Sequence, residues 1–216
     1  MSLRSHSRMC LFVASLLALS TGTGAVSSGQ DGRQADTFRS EVAKIEIQRP
    51  PGWHFQNPEA AVKYSAGAKA TTAETQEALR RLGTSPLIVV TKHPEPYKTL
   101  NPTLYVIVRS GTQFPGQSAM EITRSIKAGI SNVYSQFQVV DDIRSYKVSG
   151  YDGGRMTVQY LSATRDGREF ANRSTFVFIP RGSILYQLSI SAPPDGTDAL
   201  DETTRDRILR LVHFLE

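Results

Sequence analysis

The chain has 216 residues with one cysteine, and its 25 Lys and Arg against 20 Asp and Glu give a formal net charge of +5. A lone cysteine, at position 10, excludes a disulfide framework, a thiolate metal cluster and a redox dithiol. The small basic excess is spread out: Arg80-Arg81 and the Arg205, Arg207, Arg210 group are its only concentrations, and both read as solvated faces, so no nucleic-acid partner is expected.

Arg4 and Arg8 precede an apolar run over residues 10–19, and Thr23-Gly24-Ala25 supplies small residues behind it. That order predicts a secretory signal peptide over residues 1–25. The run is well short of the roughly 20 residues that span a bilayer, so no stable membrane span is expected. Cys10 lies at the front of the run, where a lipidated cysteine would not be, and no Arg-Arg pair marks the twin-arginine route. Cleavage leaves a cysteine-free chain in the periplasm or outside the cell, which must hold together by its core alone.

Residues 26–41, rich in Ser, Gly, Gln and Asp, read as a flexible leader, and a single domain is assigned to residues 42–216. Ile45 and Ile47 alternate with Glu46 and Gln48 as in a half-buried strand. Pro50-Pro51-Gly52 sets a tight turn, after which Trp53 and Phe55 point inward again as the second strand of a pair, with His54 facing out. Trp53, the only tryptophan, is expected to anchor the core; a ligand-stacking aromatic at a groove edge is the alternative. Thr71 and Glu74 form a capping box opening a helix that ends at Gly83. Residues 87–90 and 104–108 are continuous apolar runs, expected to be strands covered on both faces.

Ser118 and Glu121 form a second capping box, followed by Ile122, Ile126, Ile130 and Val133 on one helical stripe. The chain then turns to hairpins: Met156, Val158 and Tyr160 alternate up to Asp166-Gly167, and Phe176 and Phe178 lead to Pro180-Arg181-Gly182. Ile184, Tyr186, Leu188 and Ile190 alternate once more. A closing helix is expected from near Asp198, with Leu200, Thr204, Ile208, Leu211 and Leu215 on one face and His213 in its last turn. Helices with apolar stripes beside an antiparallel sheet give an α+β class, with the helices on the faces of the sheet.

The P-x-G-W turn ending at Trp53, the extended L-N-P-T-L-Y-V-I-V-R of residues 100–109, the amphipathic helix after it, the glycine-containing hairpin of residues 150–154 and the final run of residues 208–214 form an ordered set. Together they resemble the PsbP-like family, whose fold is shared with the Mog-type Ran-binding import factors. The resemblance covers residues 44–216 and implies an α/β/α sandwich with no shared catalytic centre. For plant lumenal members it implies docking at a photosynthetic complex; no residue set here carries over a photosystem or Ran interface.

Candidate chemistry is sparse. His93 and Glu95 stand in a turn after a central strand and, with His54, form a partial metal-ligand set, with a solvated loop as the alternative. Asp141-Asp142 reads as a strand end, and Asp195-Gly196-Thr197-Asp198 as a turn running into a helix N-cap. No G-x-S-x-G elbow occurs. Tyr97, Tyr134 and Tyr151 flank loops and are the candidate binding residues, tyrosine being suited to interfaces. The sequence leads to a non-catalytic binding or accessory module that docks onto an envelope protein complex and needs no cofactor. The alternative is a periplasmic hydrolase or metal-dependent enzyme with its site near His93 and Glu95.

Overall fold

The computed structural model describes residues 36–56, 86–163 and 168–216. Among these residues ten strands form two antiparallel sheets. The smaller has the order β1-β2-β10, from β1 (Thr37–Ser40), β2 (Ile45–Gln48) and β10 (Val212–Phe214). The larger runs β3-β4-β5-β9-β8-β7-β6. Its strands are β3 (His54–Gln56), β4 (Ile88–Thr91), β5 (Thr103–Ser110), β6 (Gln138–Val148), β7 (Tyr151–Ala163), β8 (Glu169–Arg181) and β9 (Ile184–Ala192). Two helices accompany them among the described residues, α1 (Ala119–Ile130) and α2 (Glu202–Leu209), and neither is long and apolar enough to cross a membrane.

Alternation along the strands divides the core. On one face of the large sheet Met156, Val158, Tyr160, Phe176, Phe178 and Leu185 meet Ile122, Ile126 and Ile130 of α1. On the other, Val90, Leu104, Val106, Val177, Tyr186, Leu188 and Ile190 meet Ile45 and Ile47 of β2, Ile208 and Leu209 of α2, and Val212 of β10. The expected α+β class is observed. One face carries α1; the cover of the other combines a short helix with a small sheet.

Helix α1 starts as its sequence dictates. Ser118 Oγ accepts from Glu121 N (3.3 Å) while Glu121 Oε2 accepts from Ser118 N (2.8 Å), satisfying two amides that lack intrahelical partners. The helix then lies directly on β7 at Gly154. A Cβ there would come within 2.1 Å of Thr123 Oγ1 and 2.5 Å of the Ala119 carbonyl oxygen, so only glycine lets helix and strand approach this closely.

The Pro-Pro-Gly turn does a different job from the one expected. Trp53 N donates to Pro50 O (3.0 Å), Pro51 occupies the second position and Gly52 the third at φ +76°, as in a type II turn. It carries the chain from β2 in the small sheet to β3 in the large one, so the two strands do not pair; β3 pairs with β4. Arg49 braces the turn by donating to the Trp53 carbonyl and to Asp36. Trp53 itself is 7% exposed and joins the core beneath the small sheet, while Phe55 packs against it partly buried.

Four further expectations change. Thr37–Ser40, assigned by composition to the leader, is strand β1, held by register with β2 (Phe38 opposite Ile47). The closing helix is shorter: Asp201 caps it, and Val212, His213 and Phe214 extend to pair with Ile47, Glu46 and Ile45 of β2. Backbone pairing with a waiting strand outweighs the helical spacing of Leu211 and Leu215, and His213 sits in a strand opposite Glu46. Asp141-Asp142 lies inside β6 where its register shifts. Arg205 is not part of a solvated face. It is 2% exposed and donates to the carbonyls of Leu200 (3.1 Å), Ile190 (2.9 Å) and Arg173 (3.2 Å). The helix expected after Thr71 and the Asp166-Gly167 turn lie outside the described residues.

Trp53→Ala is expected to cost about 3–5 kcal/mol, the usual range for emptying a large aromatic site. Gly154→Ala is expected to cost about 1–3 kcal/mol by forcing α1 off β7. Urea titrations followed by circular dichroism check both; unmoved midpoints would place the indole outside the core and the helix farther from the strand.

Candidate functional site

Strand register brings two distant loops together. Thr103 at the start of β5 is paired with both Thr91 at the end of β4 and Ser191 near the end of β9. The loop after β4 and the segment between β9 and α2 therefore leave the sheet at the same end. There Lys92, His93, Glu95, Tyr97, Asn101 and Asp198 converge.

Asp198, 13% exposed, is the hub. Its Oδ1 lies 2.7 Å from His93 Nε2 and accepts from Lys92 Nζ (3.0 Å), and its Oδ2 accepts from the Tyr97 hydroxyl (2.6 Å). Tyr97 and His93 stack with ring centroids 4.4 Å apart. Asn101 ties the loop to itself: its Nδ2 donates to the His93 carbonyl (2.9 Å) and to Glu95 Oε1 (2.8 Å), and its Oδ1 accepts from His93 N (3.1 Å). Glu95 Oε2 accepts from Tyr97 N (2.8 Å). Burial by itself would raise the Asp198 carboxyl, yet the hydrogen bonds from Tyr97, His93 and Lys92 hold it well below the usual carboxylate range. The Tyr97 hydroxyl is raised in turn, chiefly by that same bond.

Chemically this is an oriented imidazole with a carboxylate behind it, half of a general-base arrangement. Among the described residues the His93 ring makes no hydrogen bond besides the one to Asp198. No group of three or more His, Cys, Asp and Glu that could hold a metal ion occurs among the described residues. The three metal candidates take separate environments. His54 sits half-buried on β3 opposite Thr91, His93 turns to Asp198, and Glu95 is engaged by the Tyr97 amide and Asn101.

The tyrosines also part company. Only Tyr97 joins the cluster. Tyr134 stacks on Tyr160 (4.1 Å) beside α1, where burial pushes its hydroxyl far up. Tyr151 meets Phe214 edge-on (5.3 Å) under the Arg181 guanidinium (4.4 Å). Sequence reasoning missed Asp198 as the partner of His93, and Lys92 and Asn101 with it. The place of Asp198 in the sequence suggests a turn leading to an N-cap, whereas the N-cap is Asp201, whose carboxylate accepts from Thr204 N (2.7 Å). The available signal was a carboxylate left over once one Asp of that segment is assigned to the cap.

No family model and no curated protein matches the chain. Solved structures do. LpqN of Mycobacterium tuberculosis, involved in cell envelope biogenesis, is similar over 80% of this chain and 83% of its own, at 14% identity and a TM-score of 0.44. Cyanobacterial PsbP (CyanoP) of Synechocystis is similar over 88% of this chain and 99% of its own, at 15% identity and a TM-score of 0.44. A protein of Bacteroides thetaiotaomicron matches 85% of this chain at 12% identity and a TM-score of 0.44; this chain spans 50% of its length.

Because the Asp198 carboxyl is depressed in the fold, its stabilisation is complete above the unfolded value of about 3.9 and is lost as pH falls through the lower folded value. Asp198→Asn is expected to cost about 1–3 kcal/mol at neutral pH, since donors lose a charged acceptor. The variant should also lose less stability than the parent on going from about pH 5 to pH 2. Urea midpoints of both proteins across that range test this; identical acid limbs would mean that Asp198 contributes no charge-dependent stability.

Proposed function

We propose that this chain is an exported, non-catalytic binding module that docks onto a protein complex of the cell envelope. The observation that carries the reading is the outermost strand of the large sheet. Val139 and Val140 on β6 are 41% and 49% exposed, and with Val42 they are the large hydrophobic side chains left outward among the described residues. Apolar side chains beside unpaired strand backbone are the ordinary material of a protein contact. The residue pattern of positions 1–25 supports export, and the domain is assigned to residues 42–216 with β1 added in front of it. The ordered motifs that resemble the PsbP-like family are consistent with an accessory role.

One contact favours a second reading, a hydrolase using His93. The 2.7 Å approach of Asp198 to His93 Nε2 is the base-and-orienter half of such a site. Activity screening of the parent protein beside His93→Ala decides between them; a hydrolysis lost only in the variant would displace the binding reading.

Two measurements test the main proposal. Intact mass of protein recovered from its native compartment should begin near residue 26, and a full-length species in the cytosol would end the export reading. Crosslinking in the intact envelope should yield a discrete product with another protein. No product above that of an unrelated exported control would remove the docking reading.

A further inference from the structure

Resting on that reading, we infer that the contact is made by strand addition: β6 accepts an extended segment of the partner as an eighth strand, and the segment carries acidic side chains. Strand β6 is eleven residues long, and among the described residues its outer side pairs with nothing. The opposite edge, β3, has only three residues. Long free edges are normally blunted by bulges, and β6 has register shifts between Val139 and Asp141 and between Asp141 and Arg144. The remainder carries no bulge. Residues 144–148 stay in regular register with 155–151 of β7, which leaves a straight edge for main-chain pairing.

The chemistry of the occupant follows from the groove beside this edge. Arg124, Lys127, Ala128 and Ser131 of α1 and its C-cap face Asp142 and Ile143 of β6 across a groove of about 500 Å³. Lys127 is neutralised by Asp142 (2.8 Å). Arg124 makes no ion pair among the described residues, and Glu121, one turn before it, is occupied by the capping box. The charges of β6 itself are already matched: Arg144 by Asp141 (3.2 Å) and Glu202, and Lys147 by Asp152 (2.6 Å). Arg124 acts on the Glu121 and Asp142 carboxylates only from beyond ion-pair distance, so its guanidinium is open to contact by an incoming carboxylate. A strand lying along residues 144–148 would send alternate side chains toward α1, placing a Glu or Asp near that guanidinium.

The test uses two synthetic peptides, one alternating valine and glutamate, the other with lysine at the glutamate positions. Titration of each into the isotope-labelled protein is followed by backbone amide shifts. The acidic peptide is expected to move the amides of residues 144–148 and to bind more weakly as salt rises, while the basic peptide leaves them in place. Arg124→Glu, an exposed substitution that leaves the fold intact by circular dichroism, is expected to weaken the acidic peptide about tenfold and to admit the basic one. Binding of both peptides alike, or shifts confined to other strands, would overturn the inference. A concentration-dependent dimer shifting the same amides without peptide would overturn it in favour of a second copy of this chain. Should the envelope crosslink form while neither peptide touches β6, docking stands and belongs to another surface.

Discussion

The pairing of β2 with β10 is the constraint on which the rest of the structure depends. One face of the seven-stranded sheet has no single element to cover it. Its cover is assembled from β1 and β2 early in the described chain and α2 and β10 late in it, and the register of Ile47 with Val212 and Ile45 with Phe214 joins them. Further bonds close the same seam: Leu215 N donates to Lys44 O (3.0 Å), Lys44 Nζ to the Glu216 carbonyl (2.8 Å), and Arg181 Nη2 to Leu215 O (2.7 Å). Burial of Ile45, Ile47 and Val212 against the sheet supplies the free energy, and the ladder supplies the geometry.

Helix α2 shows how a weakly apolar element is fixed in such a cover. It is eight residues long and buries two aliphatic side chains, Ile208 and Leu209, too little to define its position by packing alone. Two fully enclosed arginines complete the attachment. Arg155 of β7 is bonded to Asp206 of the helix, with its Nη2 3.0 Å from Glu202, while Arg205 of the helix reaches back to sheet carbonyls. Burial and the neighbouring Arg173 and Arg155 charges lower the Arg205 guanidinium to about 10, still fully charged at neutral pH. Buried charges of this kind add little net stability, but a shifted helix would strand them, so they select one docking position.

What was legible in the sequence was what is local. The Ser118–Glu121 box, the α1 stripe, the alternation of β7 to β9 and the Pro-Pro-Gly turn are each written within a few consecutive residues, and each is observed. Strands β1 and β10 were not legible, because Thr37–Ser40 holds a single apolar residue and Val212–Phe214 follows directly on a helix, and both gain their form from pairing with β2. The candidate cluster was half legible for the same reason. His93, Glu95 and Tyr97 were visible in one loop; Asp198, which organises them, arrives from more than a hundred residues away because β5 happens to lie between β4 and β9. The burial of Arg205 was hidden by its neighbours, since the exposed Arg207 and Arg210 make all three look like one basic face.

The β2–β10 seam also governs the order of events during synthesis. Every described strand of the large sheet leaves the ribosome before Val212 does, yet the cover of the sheet's second face is not closed until that residue pairs with Ile47. A contact between residues as far apart in sequence as Ile47 and Val212 carries a high loop-closure cost and comes late on a folding path. Until it forms, the apolar side chains of that face stay open to solvent and to chaperones.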